Sequence, residues 1–199
     1  MSPAAAISAR TAARRYLLLA VTRWLPVGLT MGLTVLLPVE RGISLAQLGS
    51  LLAIQGLVVL VLEIPSGGLA DHFGRRPLLV IAGLLAVASS LVFLIATDYW
   101  GFALALLLQG LFRALDSGPL ESWYVDAATA EDPDVPIERV LSHAATALGL
   151  SIAGGALIGG ALVAWHPWGW TSAFTLPFVV ATAAAAAHVV LLAALVREP

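Results

Sequence analysis

The chain has no cysteine and no lysine, and only 11% of its residues carry a charge. Without cysteine there is no disulfide, no thiol nucleophile and no cysteine-based metal site. Four histidines, at positions 72, 143, 166 and 188, are too scattered to suggest a metal cluster. All ten basic residues are arginine, and the net charge of −2 by itself says little about partners; no nucleic-acid partner is expected. The scarcity of charge excludes more. A soluble domain usually carries about 25% charged residues. A chain that is 60% hydrophobic, with a mean hydropathy of +0.95, could not cover its own surface with polar groups. Lipid is the solvent that fits this composition.

What is present is a series of long apolar runs. A bilayer core of about 30 Å needs roughly 20 apolar residues per helical span. Six segments satisfy this, approximately 16–38, 45–69, 77–97, 101–124, 140–165 and 171–196, after a polar tail over 1–15. Runs of Leu, Ala and Val without dyad alternation indicate helices rather than a closed barrel. The first run follows Arg10, Arg14 and Arg15 as a signal peptide would, yet its apolar stretch continues past Pro26 to Pro38. A signal core is only about 7–15 residues long, so the run reads as a retained span. With the N-terminus in the cytoplasm, Arg10, Arg14, Arg15, Arg75, Arg76, Arg139 and Arg197 lie inside and only Arg41 outside. Arginine bias of that size sets the orientation, with both termini cytoplasmic. Tyr99, Trp100, Trp165, Trp168 and Trp170 then fall at the outer interface.

Several charges lie where lipid should exclude them. Arg23, Glu63, Arg113, Asp116 and Glu121 fall inside the expected spans, and each needs a partner or water. Counted from the cytoplasmic ends, Arg23, Glu63 and Asp116 share a depth, so Arg23 could pair with either acid. Arg113 and Asp116 are three residues apart and are expected to share a helix face. A polar cavity for solute or protons is one reading, and ion pairs that fix helix packing are the other. Glu121 sits close enough to a span end to snorkel. Small residues also recur at close-packing spacing, with Gly28 and Gly32 in the first span and Gly155, Gly159 and Gly160 in the fifth.

At the second junction, Gly67-Gly68-Leu69-Ala70-Asp71-His72-Phe73-Gly74-Arg75-Arg76 closely resembles the loop signature of the major facilitator superfamily, Gly-x-Leu-Ala-Asp-Arg-x-Gly-Arg-Arg. Only His72 departs from it, and the place, between spans two and three, matches too. The segment Ala114–Asp126 echoes the family's fourth span. Its Arg-x-x-Gln-Gly coupling signature is half present, as Gln109-Gly110, with Leu106 at the Arg position and Arg113 three residues beyond the Gly. Gly155–Gly160 is similar to the antiporter signature Gly-Pro-x-x-Gly-Gly, with Ala156 replacing the Pro.

The resemblance implies an all-α membrane protein: the N-terminal six-helix half of a transporter, built from two inverted three-helix repeats. It implies secondary transport of a small molecule by alternating access, as efflux of a multidrug type, without a cofactor but with coupling to an ion gradient such as the proton gradient. It also implies a bacterial plasma (inner) membrane location. The loop becomes a gating clasp. Gly67 and Gly74 permit its turn, Asp71 faces a helix N-terminus, and Arg75, beside Arg76, pairs with an acid that Asp126 matches. Candidate cavity and coupling residues are Arg113, Asp116, Gln109, Arg23 and Glu63. Such transporters have twelve spans, so a C-terminal six-helix half or a second copy is the expected partner, besides substrate and lipid. The alternative is a half-size or truncated membrane protein that transports nothing and serves as a dimerising or scaffold module. An enzyme is not expected, because no Ser–His or paired-Asp arrangement falls at a common depth.

Overall fold

Ser8 opens the first helix by accepting a hydrogen bond from the Thr11 amide at 3.3 Å, which satisfies one of the orphan donors of a helix start. The computed structural model describes residues 7–196, and for residues 64–73 it describes the backbone alone. Helix α1 (Ala9–Thr30) and helix α2 (Leu33–Glu40) make the first span, interrupted by a short turn at Met31 and Gly32. The span thus begins inside the stretch expected to be a tail. Helix α3 (Leu45–Phe73) is the second span and helix α4 (Arg75–Ile95) the third.

The fourth span departs from expectation. It is not one helix over 101–124 but helix α5 (Tyr99–Leu115) and helix α6 (Pro119–Thr129), parted at residues 116–118. The cause is local. Pro119 disfavours helical backbone in the residue before it, and Gly118 takes a φ of +96° that a residue with a Cβ rarely adopts. Helix α7 (Ile137–Trp165) is the fifth span and helix α8 (Thr175–Leu195) the sixth. Five spans, counting α1 and α2 as one, are single runs long and apolar enough to cross a membrane; the broken one completes the six. Among the described residues there is no strand.

The packing shows why six helices amount to two copies of three. Span one packs on spans five and six, span four packs on spans two and three, and span three packs on span six. Exchanging one with four, two with five and three with six returns the same set of contacts, as an inverted repeat requires. The close approaches obey the same exchange. A Cβ on Gly28, Gly155 or Gly159 would come within 3.0 Å of backbone across the one–five contact. A Cβ on Gly110 would come as near Gln55 across the four–two contact. Gly160 is different: nothing lies within 4 Å of its Cβ position, so it is not a packing glycine. One residue along a helix is about 100° of rotation, which turns Gly160 away from the seam that Gly159 occupies.

Two apolar clusters hold the bundle, one toward each end. The first gathers Tyr16, Leu79, Trp123, Tyr124 and Leu192, with Tyr16 and Tyr124 stacked at 4.8 Å between ring centres. The second gathers Leu37, Leu51, Phe93, Phe102 and Phe178, with Phe93 and Phe178 stacked at 5.3 Å. Arginines cap the carbonyl ends of spans three and six. Arg41 donates to the Phe93 and Leu94 carbonyls, each at 3.1 Å, and to that of Ala96. Arg76 and Arg15 donate to Ala193 and Leu195 at 2.6 and 3.0 Å. Cations placed there complement the negative end of each helix.

Candidate functional site

Two polar constellations stand out from the apolar bundle. The first is at the end that carries the chain termini. Helix α3 continues through Phe73, so Gly67 lies in helix and does not form the turn expected of it. Gly74 alone makes the corner, with a φ of +86°. The side chain of Asp71 lies outside the described residues. Immediately after the corner, Arg75 Nη1 meets Asp126 Oδ2 at 2.5 Å and the Ser122 carbonyl at 3.1 Å. The pair ties the start of span three to the second segment of span four. Asp126 is about half exposed, so the pair stands in a polar setting where it can form and break at small cost.

The second constellation is a cavity of about 530 Å³ on the faces of spans one, two and four, with Ile152 of span five also lining it. Arg23, Glu63, Gln109 and Arg113 line it, with Gln55, Thr30, Trp24 and Phe112. Gln55 Nε2 donates to Gln109 Oε1 at 2.8 Å, joining spans two and four. Gln55 was not anticipated, although an amide in the middle of "LLAIQGLVVL" is itself a signal. Of the two acids that depth offered to Arg23, the structure pairs it with Asp116, whose side chain is 3% exposed. Arg23 Nε and Asp116 Oδ2 have no hydrogen-bond partner besides this contact among the described residues. The Arg23 guanidinium also lies over the Trp24 ring, 4.5 Å from its centre.

Arg113 and Asp116 do not share a surroundings as expected. Asp116 is buried against Arg23 and does not line the large cavity, whereas Arg113 is exposed into it. Within the same helical face the two differ by about 60°, and that is enough to turn the Asp116 carboxylate to Arg23 while the Arg113 guanidinium faces the cavity. Behind Arg23 lies a smaller chamber of about 220 Å³, lined by Tyr16, Asp116 and Glu121. Arg23, Trp24 and Gly118 border both spaces and form the wall between them. Glu121 is exposed in the first turn of α6, where a carboxylate suits the positive helix end. His188, buried in span six, bonds Thr22 through Nδ1 at 2.8 Å and fastens span six to span one.

Comparison with known proteins bears on this arrangement. The profile of the Major Facilitator Superfamily matches residues 8–199, nearly the whole chain. A curated relative, the inner membrane transport protein YajR of Escherichia coli (strain K12), is 36% identical over 86 residues. That stretch spans 43% of this chain and 18% of the relative's length.

Proposed function

The chain belongs to the Major Facilitator Superfamily, and on that premise we propose that it forms the N-terminal half of a secondary transporter that exports a small molecule by alternating access. The observation that carries this reading is the cavity on spans one, two and four, with guanidinium, carboxylate and amide groups in an otherwise apolar membrane unit. Polar groups at that depth are costly unless they face solute, water or one another. In a fold of inverted repeats such a site belongs at the face between halves, where the covering half would complete it. The Arg75–Asp126 pair supplies the clasp at the end bearing the termini, which the arginine bias places in the cytoplasm. Closed, it holds the cavity shut on that side; broken, it lets span four move against span three. The Arg23–Asp116 pair and Glu121, reached through the smaller chamber, are suited to couple that movement to protons.

A flux assay tests the proposal. The protein at its natural full length is reconstituted in vesicles with an imposed pH gradient, and uptake of cationic, neutral and anionic fluorescent dyes is followed. At least one dye should move against its own gradient while the proton gradient lasts, and collapse of the gradient should stop it. Movement indifferent to the gradient would remove the proton coupling, and no movement of any dye would favour the scaffold alternative.

A further inference from the structure

The charges of the large cavity are unequal in what they are free to do. Arg23 is committed to Asp116. Arg113 is exposed into the cavity and has no ion pair or hydrogen bond among the described residues. Its height is fixed by the packing of α3 on α5, which run in the same direction. Gln55 bonds Gln109, and Gly110 abuts Gln55 and Val58, so Val59 lies level with Arg113. Glu63 lies four residues further along, about 6 Å beyond. A guanidinium held within a span is tolerated only where something solvates or neutralises it. Its planar fork of donors matches the two oxygens of a carboxylate or sulfonate better than a single point acceptor. Around it the wall is aromatic and aliphatic, with Trp24, Phe112, Val27 and Val59. A volume of about 530 Å³ lies within the range of small-molecule sites.

We infer that this cavity selects organic anions: an aromatic carboxylate or sulfonate whose acid group rests on Arg113 and whose ring lies against Trp24 and Phe112. The Gln55–Gln109 amides lie one turn from the guanidinium and offer the remaining hydrogen bonds. The inference deepens the transport reading and rests on it for its setting, but its test does not require flux.

Three ligands of one shape decide it: 2-naphthoate, 2-naphthamide and 2-naphthylmethylammonium, titrated calorimetrically into the detergent-solubilised protein at its natural full length. The naphthoate should bind about tenfold more tightly than either of the others. Arg113→Gln should abolish that preference, and Arg113→Lys should keep part of it, because charge remains while the fork is lost. Thermal unfolding of each variant establishes that it is folded, and the wild-type ranking decides even if Arg113→Gln is not. Equal binding of the three ligands, preference for the ammonium, or naphthoate binding untouched by Arg113→Gln would overturn the inference. Naphthoate bound through Arg113 yet never carried across a membrane would defeat the transport reading and leave this one standing. Transport of cationic dyes without naphthoate binding would do the reverse.

Discussion

Among the described residues Asp116 is the one acid paired with Arg23, and Asp116 itself is buried, so removing Arg23 strands the carboxylate. Breaking a buried pair from one side costs about 3–5 kcal/mol, whereas replacing both partners with apolar residues of similar volume is often neutral. Arg23→Met and Asp116→Leu should therefore each lower the unfolding midpoint of the solubilised protein sharply, while the double variant recovers most of the loss. Additive losses would mean that the two residues do not form one unit. The Arg75–Asp126 pair is expected to behave otherwise, because it is exposed. Its single alanine variants should change stability by no more than about 1 kcal/mol. In vesicle flux, Arg75→Ala and Asp126→Ala should each slow transport, and the double variant should be no slower than the worse single one. Independent, multiplying losses would separate the clasp from transport. The Arg75–Asp126 pair was already implied by the family resemblance, whereas the Arg23 pair was only half legible beforehand. Depth counting restricted Arg23 to two acids, and only the packing of span four against span one, which buries Asp116 beside Arg23, decided between them.

At the scale of elements, the contact of span one with span five rests on backbones meeting without side chains between them. A Cβ at Gly155 or Gly159 would overlap the carbonyls of Leu25 and Leu29, which cannot yield as a flexible side chain can. Gly155→Leu or Gly159→Leu should cost at least the 1–3 kcal/mol typical of overpacking, and Gly160→Leu should be tolerated. Unfolding midpoints of the three variants check this, and equal losses at all three would refute the seam. The break in span four is a second element-scale device. Gly118 occupies a left-handed conformation, so Gly118→Ala should cost about 1–2 kcal/mol. Pairing it with Pro119→Ala tests whether the span can be driven toward one continuous helix, read as a gain in helical circular dichroism. The glycines and the proline were visible in the sequence. Which glycine faced a neighbour was not, because spacing of four residues marks a stripe on a helix and says nothing of where the other helix lies.

At the scale of the molecule, cysteine accessibility reads the orientation in the membrane. The 199 residues contain no cysteine and so add no labelling background of their own. Asp132→Cys, in the connection between spans four and five, should be shielded from a membrane-impermeant maleimide in intact cells. Gly169→Cys, between spans five and six, should react with it. The reverse pattern would invert the topology drawn from the arginines. The exchange symmetry of the packing bears on function at the same scale. Spans two and five, which the repeat relates, bury the smallest share of their apolar stretch, 11% and 17%. They offer Leu57, Leu60, Leu150 and Leu157 at their surfaces, available to lipid or to a covering half.

The apolar runs, the glycine corner at Gly74 and the charged loop were enough, without coordinates, to establish a six-span helical membrane unit and its family resemblance. That is because lipid leaves the backbone few choices, and a span must be long, apolar and internally hydrogen-bonded. Tertiary structure alone decided which intramembrane charges meet, that Gln55 joins Gln109, that Gly160 stands idle, and that Arg113 is left facing the cavity. Those outcomes depend on the rotation and register of one helix against another. They are set by contacts far apart in the chain, and hydropathy carries no record of them.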